Sequence, residues 1–121
     1  MGGLVARYFL QCLNRAACVQ TFITLGTPHH GSALAFFRTG DGFRDLRQGS
    51  ALLRMLERTE THLLALKPLS IYTPFDLMIV PCTSSIWRVA TNVSVPLLTH
   101  CRLLSSPKVH RLIFSHLSQQ H

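Results

Sequence analysis

At 121 residues the chain is one domain at most, with room for a modest core. Hydrophobic residues make up 47% and charged residues only 14%, with a mean hydropathy of +0.24; a free-standing domain usually carries about a quarter charged residues, so this composition fits strands covered on both faces inside a larger α/β protein. The net charge of +7 is spread from Arg7 to Arg111 with no cluster and no interleaved aromatics, which argues against a nucleic-acid partner and for a solvated or partner-facing basic surface.

The first predicted element is a helix from Gly2 to about Ala17, with Leu4, Val5, Tyr8, Phe9, Cys12 and Leu13 at helical spacing forming one broad apolar stripe. A buried strand follows over residues 19–25, β-branched and short. Residues 26–32, rich in Gly, Pro and Ser, read as a loop, and the stretch around Gly40-Asp41-Gly42 is poorly patterned. Ser50 is placed to cap a helix running to about Leu66, with Leu52, Leu53, Leu56, Leu63 and Leu64 apolar.

A second strand spans residues 67–73 and is closed by Pro74, with Asp76 directly after it. Ile79-Val80-Pro81 leads into a Ser/Thr loop, and residues 91–95 alternate as a third strand ending at Pro96. Ser106 then caps a terminal helix that has Pro107 at its first position and Val109, Leu112, Ile113, Phe114 and Leu117 along it. Strands separated by crossovers imply a parallel sheet.

Cys12, Cys18, Cys82 and Cys101 show no Cys-x-x-Cys spacing, which argues against a zinc ribbon and fixes no disulfide. Cys12 and Cys18 sit in an apolar setting where small buried thiols are common. The N-terminus has no basic region preceding an apolar one, as a secretory signal would. No apolar run reaches the roughly 18 residues needed to span a bilayer.

Gly2-Gly3 at the start of a helix resembles the back half of the nucleophile elbow of α/β-hydrolases, Gly-x-Ser-x-Gly, which in lipase-like members often reads Gly-His-Ser-Met-Gly-Gly. On that pattern Met1 is the residue after the nucleophile, and the serine falls one position before Met1. FITLGTPHHGS (residues 22–32) looks like the Thr-Pro-His-x-Gly-Ser segment after the elbow helix of bacterial lipases and esterases. DLRQGSALLRML resembles the stretch where a Gly-Ser opens a helix, SIYTPFDLMIVPCTSS the segment presenting the catalytic acid, and LLTHCRLLSSPKVHRLIFSHL the final His loop and helix. These segments cover nearly the whole chain in family order.

The resemblance implies that residues 1–121 form one partial domain, the C-terminal half of an α/β-hydrolase fold with about three parallel strands and flanking helices. It implies Asp76 as the triad acid and His100 as the base, in the Ser, Asp, His order of the family. Thr99 stands where the family usually has Gly. A carboxylate at a strand's C-terminal edge can orient and stabilise an imidazolium; outside the resemblance, Asp76 also reads as a turn residue after Pro74. The backbone N–H of Met1 takes one oxyanion position, and the other lies upstream.

The expected substrate is an ester or lipid, handled through an acyl-enzyme, and no cofactor or metal is implied. An acyltransferase using the same triad, and a non-catalytic fragment or pseudoenzyme, remain open. His29 and His30 form the one adjacent pair, but neighbours on an extended loop point apart and make poor joint ligands; the resemblance puts them in a structural loop near the site's rim. His62, mid-helix, reads as a surface or packing residue. His110 and His116 lie within the final helix and His121 is terminal. Ser50, Ser84 and Ser94 are not on strand-to-helix elbows. Because the strand leading into the nucleophile is missing, the isolated chain is expected to self-associate through an unpaired edge and uncovered apolar faces.

Overall fold

The computed structural model describes residues 2–33, 35, 40–75, 79 and 81–119. Its order is α1 (Gly2–Cys12), β1 (Ile23–Leu25), α2 (Asp41–Leu46), α3 (Ala51–Thr59), β2 (Leu69–Tyr72), β3 (Thr91–Ser94), α4 (Arg102–Ser105) and α5 (Pro107–Gln119). Tight 3-10 turns occupy Ala16–Cys18, Glu60–Leu66 and Cys82–Ser85. The strands form one parallel sheet in the order β1-β2-β3, the α/β arrangement expected from the sequence. No described helix is long and apolar enough to cross a membrane.

Several boundaries differ from the pattern reading. α1 stops at Cys12 rather than near Ala17 because Asn14 turns left-handed (φ 55°), a conformation Asn tolerates at helix C-termini. β1 holds only three of the seven residues expected. Ser50 caps α3 as expected, its hydroxyl accepting from the Leu53 N–H at 3.2 Å, but α-helix gives way to a 3-10 turn at Glu60. The patternless region around Gly40-Asp41-Gly42 contains the short helix α2. Of the two thiols expected to be buried, Cys12 is half-buried and Cys18 exposed.

The sheet has two different faces. Ile23, Leu25, Leu69, Ile71 and Val93 pack with Leu103 of α4 and Val109 and Leu112 of α5 into one apolar core. On the other face Thr24, Ser70 and Asn92 stand in register across all three strands. Each of the three is hydrogen-bonded to a covering loop: Thr24 to His29, Ser70 to the Ser85 carbonyl at 2.7 Å, and Asn92 to the Trp87 backbone. Buried polar side chains are stable in a core only when bonded in this way, so this row fixes where the loops lie.

The largest departure concerns α1. Its buried residues are Leu4, Arg7, Leu10 and Gln11, so its core-facing stripe is half polar. Val5, Phe9 and Leu13, one turn apart and expected inside, are instead 61%, 47% and 51% exposed, and Tyr8 is exposed beside them. Leu4 packs on Leu53 and Leu56 of α3, and Leu10 on Leu63, Leu66 and Trp87.

Among the described residues no strand pairs with the outer side of β1. Edge strands and contiguous apolar patches of this kind favour association. Light scattering on the purified chain is therefore expected to give a mass above 13.6 kDa, with Phe9→Lys lowering it. A monodisperse monomer would contradict this.

Candidate functional site

In a parallel sheet all strand C-termini lie on one edge, where ligand sites of α/β proteins form. Here that edge carries Gly26 after β1, Thr73 after β2 and Val95 after β3. Thr73 is buried and ties two of the three exits together. Its hydroxyl donates to the Leu97 carbonyl at 2.6 Å and accepts from the N–H groups of Leu97 and Phe75 at 3.2 and 3.3 Å. The turn leading towards Asp76 is thus stapled to the segment leading towards His100.

His100 follows in a turn whose carbonyl accepts from the Leu103 N–H, opening α4. Its ring lies close against Gly26. A Cβ at Gly26 would stand 2.6 Å from His100 Cε1 and 2.8 Å from Nδ1, and Gly26 also has φ +58°. Both facts require glycine. Gly3 plays the same part on the neighbouring element: a Cβ there would lie 2.2 Å from Thr27 Oγ1, so the first turn of α1 can press onto the loop after β1.

The result is a cavity of about 590 Å³ bounded by Gly2, Gly3, β1, Thr27, His100 and Leu104. His100 thus shares the lining of this cavity with the first residues of α1. Gly26→Ala is expected to cost about 1–2 kcal/mol from the left-handed backbone alone and to move the His100 ring. Denaturation midpoints and the His100 ring resonances measure the two effects; unchanged resonances would mean the contact is loose.

The other expected positions fall as follows. Asp76 and Met1 lie outside the described residues, as does His121. His62 is exposed. The rings of His110 and His116 are bonded to the carbonyls of Leu104 and Lys67. Ser50 is a helix cap, Ser84 is buried with its hydroxyl donating to the Gly31 carbonyl, and Ser94 is exposed at the end of β3. No described residue lining the cavity is a serine.

The adjacent histidines do point apart. His30 is exposed and bonded to the Ile86 carbonyl, whereas His29 is buried at the centre of a polar cluster that the sequence pattern did not reveal. His29 stacks on Trp87 at 4.4 Å, and the Arg7 guanidinium lies 4.5 Å over the same indole. Arg7 donates to His29 Nδ1 at 3.1 Å, to Gln11 at 2.9 Å and to the Leu56 carbonyl at 3.1 Å. Glu60 closes the cluster, accepting from Trp87 Nε1 at 2.7 Å, from Arg7 at 3.5 Å and from exposed Arg88. Arg7 is therefore no part of a solvated basic surface.

Arginine only donates, so His29 Nδ1 must be the acceptor and Nε2–H the donor to Thr24 Oγ1, 3.1 Å away. This fixes one neutral tautomer. Burial first, then the positive charge of Arg7, holds the imidazole well below its usual pKa. Burial pushes Arg7 down to about 10, with Glu60 opposing, so Arg7 stays charged at neutral pH.

The linkage has a definite sign. Above about pH 6.5 His29 is neutral folded and unfolded; below it the unfolded chain binds a proton that the folded chain refuses. Stability is therefore expected to fall on acidification, with a limiting slope of about 1.4 kcal/mol per pH unit beginning near pH 6.5. Urea unfolding followed by fluorescence of Trp87, the sole tryptophan, measures it at pH 7.5, 6.5 and 5.5. His29→Gln should flatten the profile; an unchanged profile would place the proton uptake elsewhere.

The chain matches no protein-family model, no curated protein and no solved structure.

Proposed function

We propose that this chain supplies the acid-and-base part of a carboxylic-ester hydrolase of the α/β-hydrolase type, whose nucleophilic serine directly precedes Met1. The observation that carries the reading is the seat of His100: its ring rests on Gly26 at the C-terminal edge of a parallel sheet, facing a cavity also bounded by the Gly2-Gly3 start of α1. On this reading the elbow serine belongs at the Gly2-Gly3 end of that cavity. The Thr73 staple, which couples the exits of β2 and β3, adds support.

In this reading the serine Oγ attacks the ester carbonyl while His100 takes its proton. His100 returns that proton to the departing alkoxide, leaving an acyl-enzyme. Water then attacks with His100 again as base, and the serine is released with the carboxylic acid. Asp76 accepts a hydrogen bond from the imidazole and stabilises the imidazolium. On this reading the Met1 backbone N–H, in a peptide bond, is one of the two oxyanion donors. An acceptor alcohol in place of water would make the same machinery an acyltransferase.

By itself the chain is read as catalytically silent. The cavity's side-chain hydroxyls belong to Thr24, which is bonded to His29, and to Thr27. A fluorophosphonate probe tests this. The 121-residue chain should remain unlabelled, while a chain extended upstream through a serine before Met1 should be labelled on that serine. Stoichiometric labelling of any serine within residues 1–121 would overturn the assignment.

A further inference from the structure

At the opposite edge of the sheet from His100, Lys67 precedes β2 and Thr91 opens β3, and the last turn of α5 reaches them with His116 and Gln119. Together with Arg88 they line a cavity of about 420 Å³. The described lining includes no carboxylate, and Lys67, Arg88, Thr91 and Gln119 can each donate a hydrogen bond into it. Two of its residues are held in place. Arg88 is anchored through Nε–H to the buried carboxylate of Glu60. The His116 Nε2–H donates to the Lys67 carbonyl at 2.9 Å, since a carbonyl only accepts.

Lys67 itself stands where its backbone is unfavourable. It closes the 3-10 turn Glu60–Leu66 in a left-handed conformation, φ 46° and ψ 62°, a position usually filled by glycine or asparagine. It also precedes Pro68, which favours extended backbone. A lysine there carries strain that glycine would not. Offsetting the partial negative charge at the end of that turn is one use for its ammonium; binding a ligand is another, and the two are separable.

We propose that Lys67 and Arg88, with His116 holding the Lys67 backbone, form a binding site for a phosphomonoester. The cavity is larger than a phosphate alone needs, and Leu64, Val89 and Ala90 give an organic substituent an apolar wall. A dianion matches a site with more than one cation better than a carboxylate does, and charge-assisted bonds of this kind are the strong ones.

Calorimetric titration of the chain with phenyl phosphate and with benzoate tests the site. Phenyl phosphate should bind saturably at one site, and benzoate about tenfold more weakly or not at all. Lys67→Gly should weaken phenyl phosphate binding by about tenfold or more while raising the melting temperature by a few degrees. A role limited to capping the turn would leave binding untouched. Arg88→Gln should also lose binding with its Trp87 emission retained, whereas Arg58→Gln, on exposed α3 surface, should keep it.

Vesicles containing phosphatidic acid identify the carrier. Capture that is lost in Lys67→Gly, with phosphatidylcholine vesicles not captured, assigns a lipid headgroup; phenyl phosphate binding without capture assigns a soluble ester. Absence of saturable phenyl phosphate binding, equal affinity for benzoate, or equal weakening by Arg58→Gln would overturn the proposal.

Discussion

Replacing Glu60 by alanine is expected to cost about 3–5 kcal/mol, the usual consequence of leaving a buried charge without its partner. Glu60 and Arg7 are both 1% exposed. The carboxylate is the main counter-charge of Arg7 and accepts the hydrogen bond of Trp87 Nε1. Without it Arg7 keeps its bonds to Gln11, His29 and the Leu56 carbonyl, but its buried charge loses its main counter-charge and keeps only the weaker field of Glu57. Domains are stable by only about 5–15 kcal/mol, so the loss is a large share of the total.

Arg88→Ala should cost far less, because Arg88 is in solvent and Glu60 would still hold Arg7 and Trp87. Arg7→Met in the Glu60→Ala background should recover part of the loss, since removing both charges together is often close to neutral. Urea unfolding monitored through Trp87 measures all four chains. A Glu60→Ala penalty below about 1 kcal/mol, the size of an exposed pair, would show that water screens the cluster.

The strands, the parallel order and the two capped helices were legible because each rests on local chemistry: β-branched Thr21, Ile23 and Thr24 around Phe22, Ser50 before Leu52 and Leu53, Ser106 before Pro107. The orientation of α1 was not. Periodicity reports which residues share a face, not which face is buried. Two stripes compete on α1, and the apolar one, Val5, Phe9 and Leu13, is the exposed one. The structure buries the polar alternative because Arg7 and Gln11 find acceptors on α3 and on His29 that are dozens of residues away in sequence.

The one available signal was Arg7 and Gln11 at i, i+4 on the stripe of Leu4, together with a single Trp and few acids to share. Glu60 and Trp87 carried no motif at all. At the site, the glycine next to His100 was visible as Gly26, but its role was not, since the close approach of His100 to Gly26 is a contact over 74 positions. The Thr73 staple was hidden for the same reason.

On the proposed reading, His100→Ala should abolish ester hydrolysis almost completely in a chain extended upstream to include an elbow serine and its strand. Removing a triad base takes away both proton transfers, and such losses run to about four to six orders of magnitude in rate. On the same reading Asp76→Asn should follow at about four orders, the loss expected when a triad acid no longer orients its imidazole. The His100→Ala variant should keep the Trp87 emission of the parent.

The measurement is kcat/KM for a short-chain p-nitrophenyl ester in the extended chain and its two variants. A parent rate well above background that falls by at least a thousandfold in His100→Ala is the predicted result. An extended chain whose ester hydrolysis survives His100→Ala, or one that folds and has none, would contradict the assignment of His100 as the base.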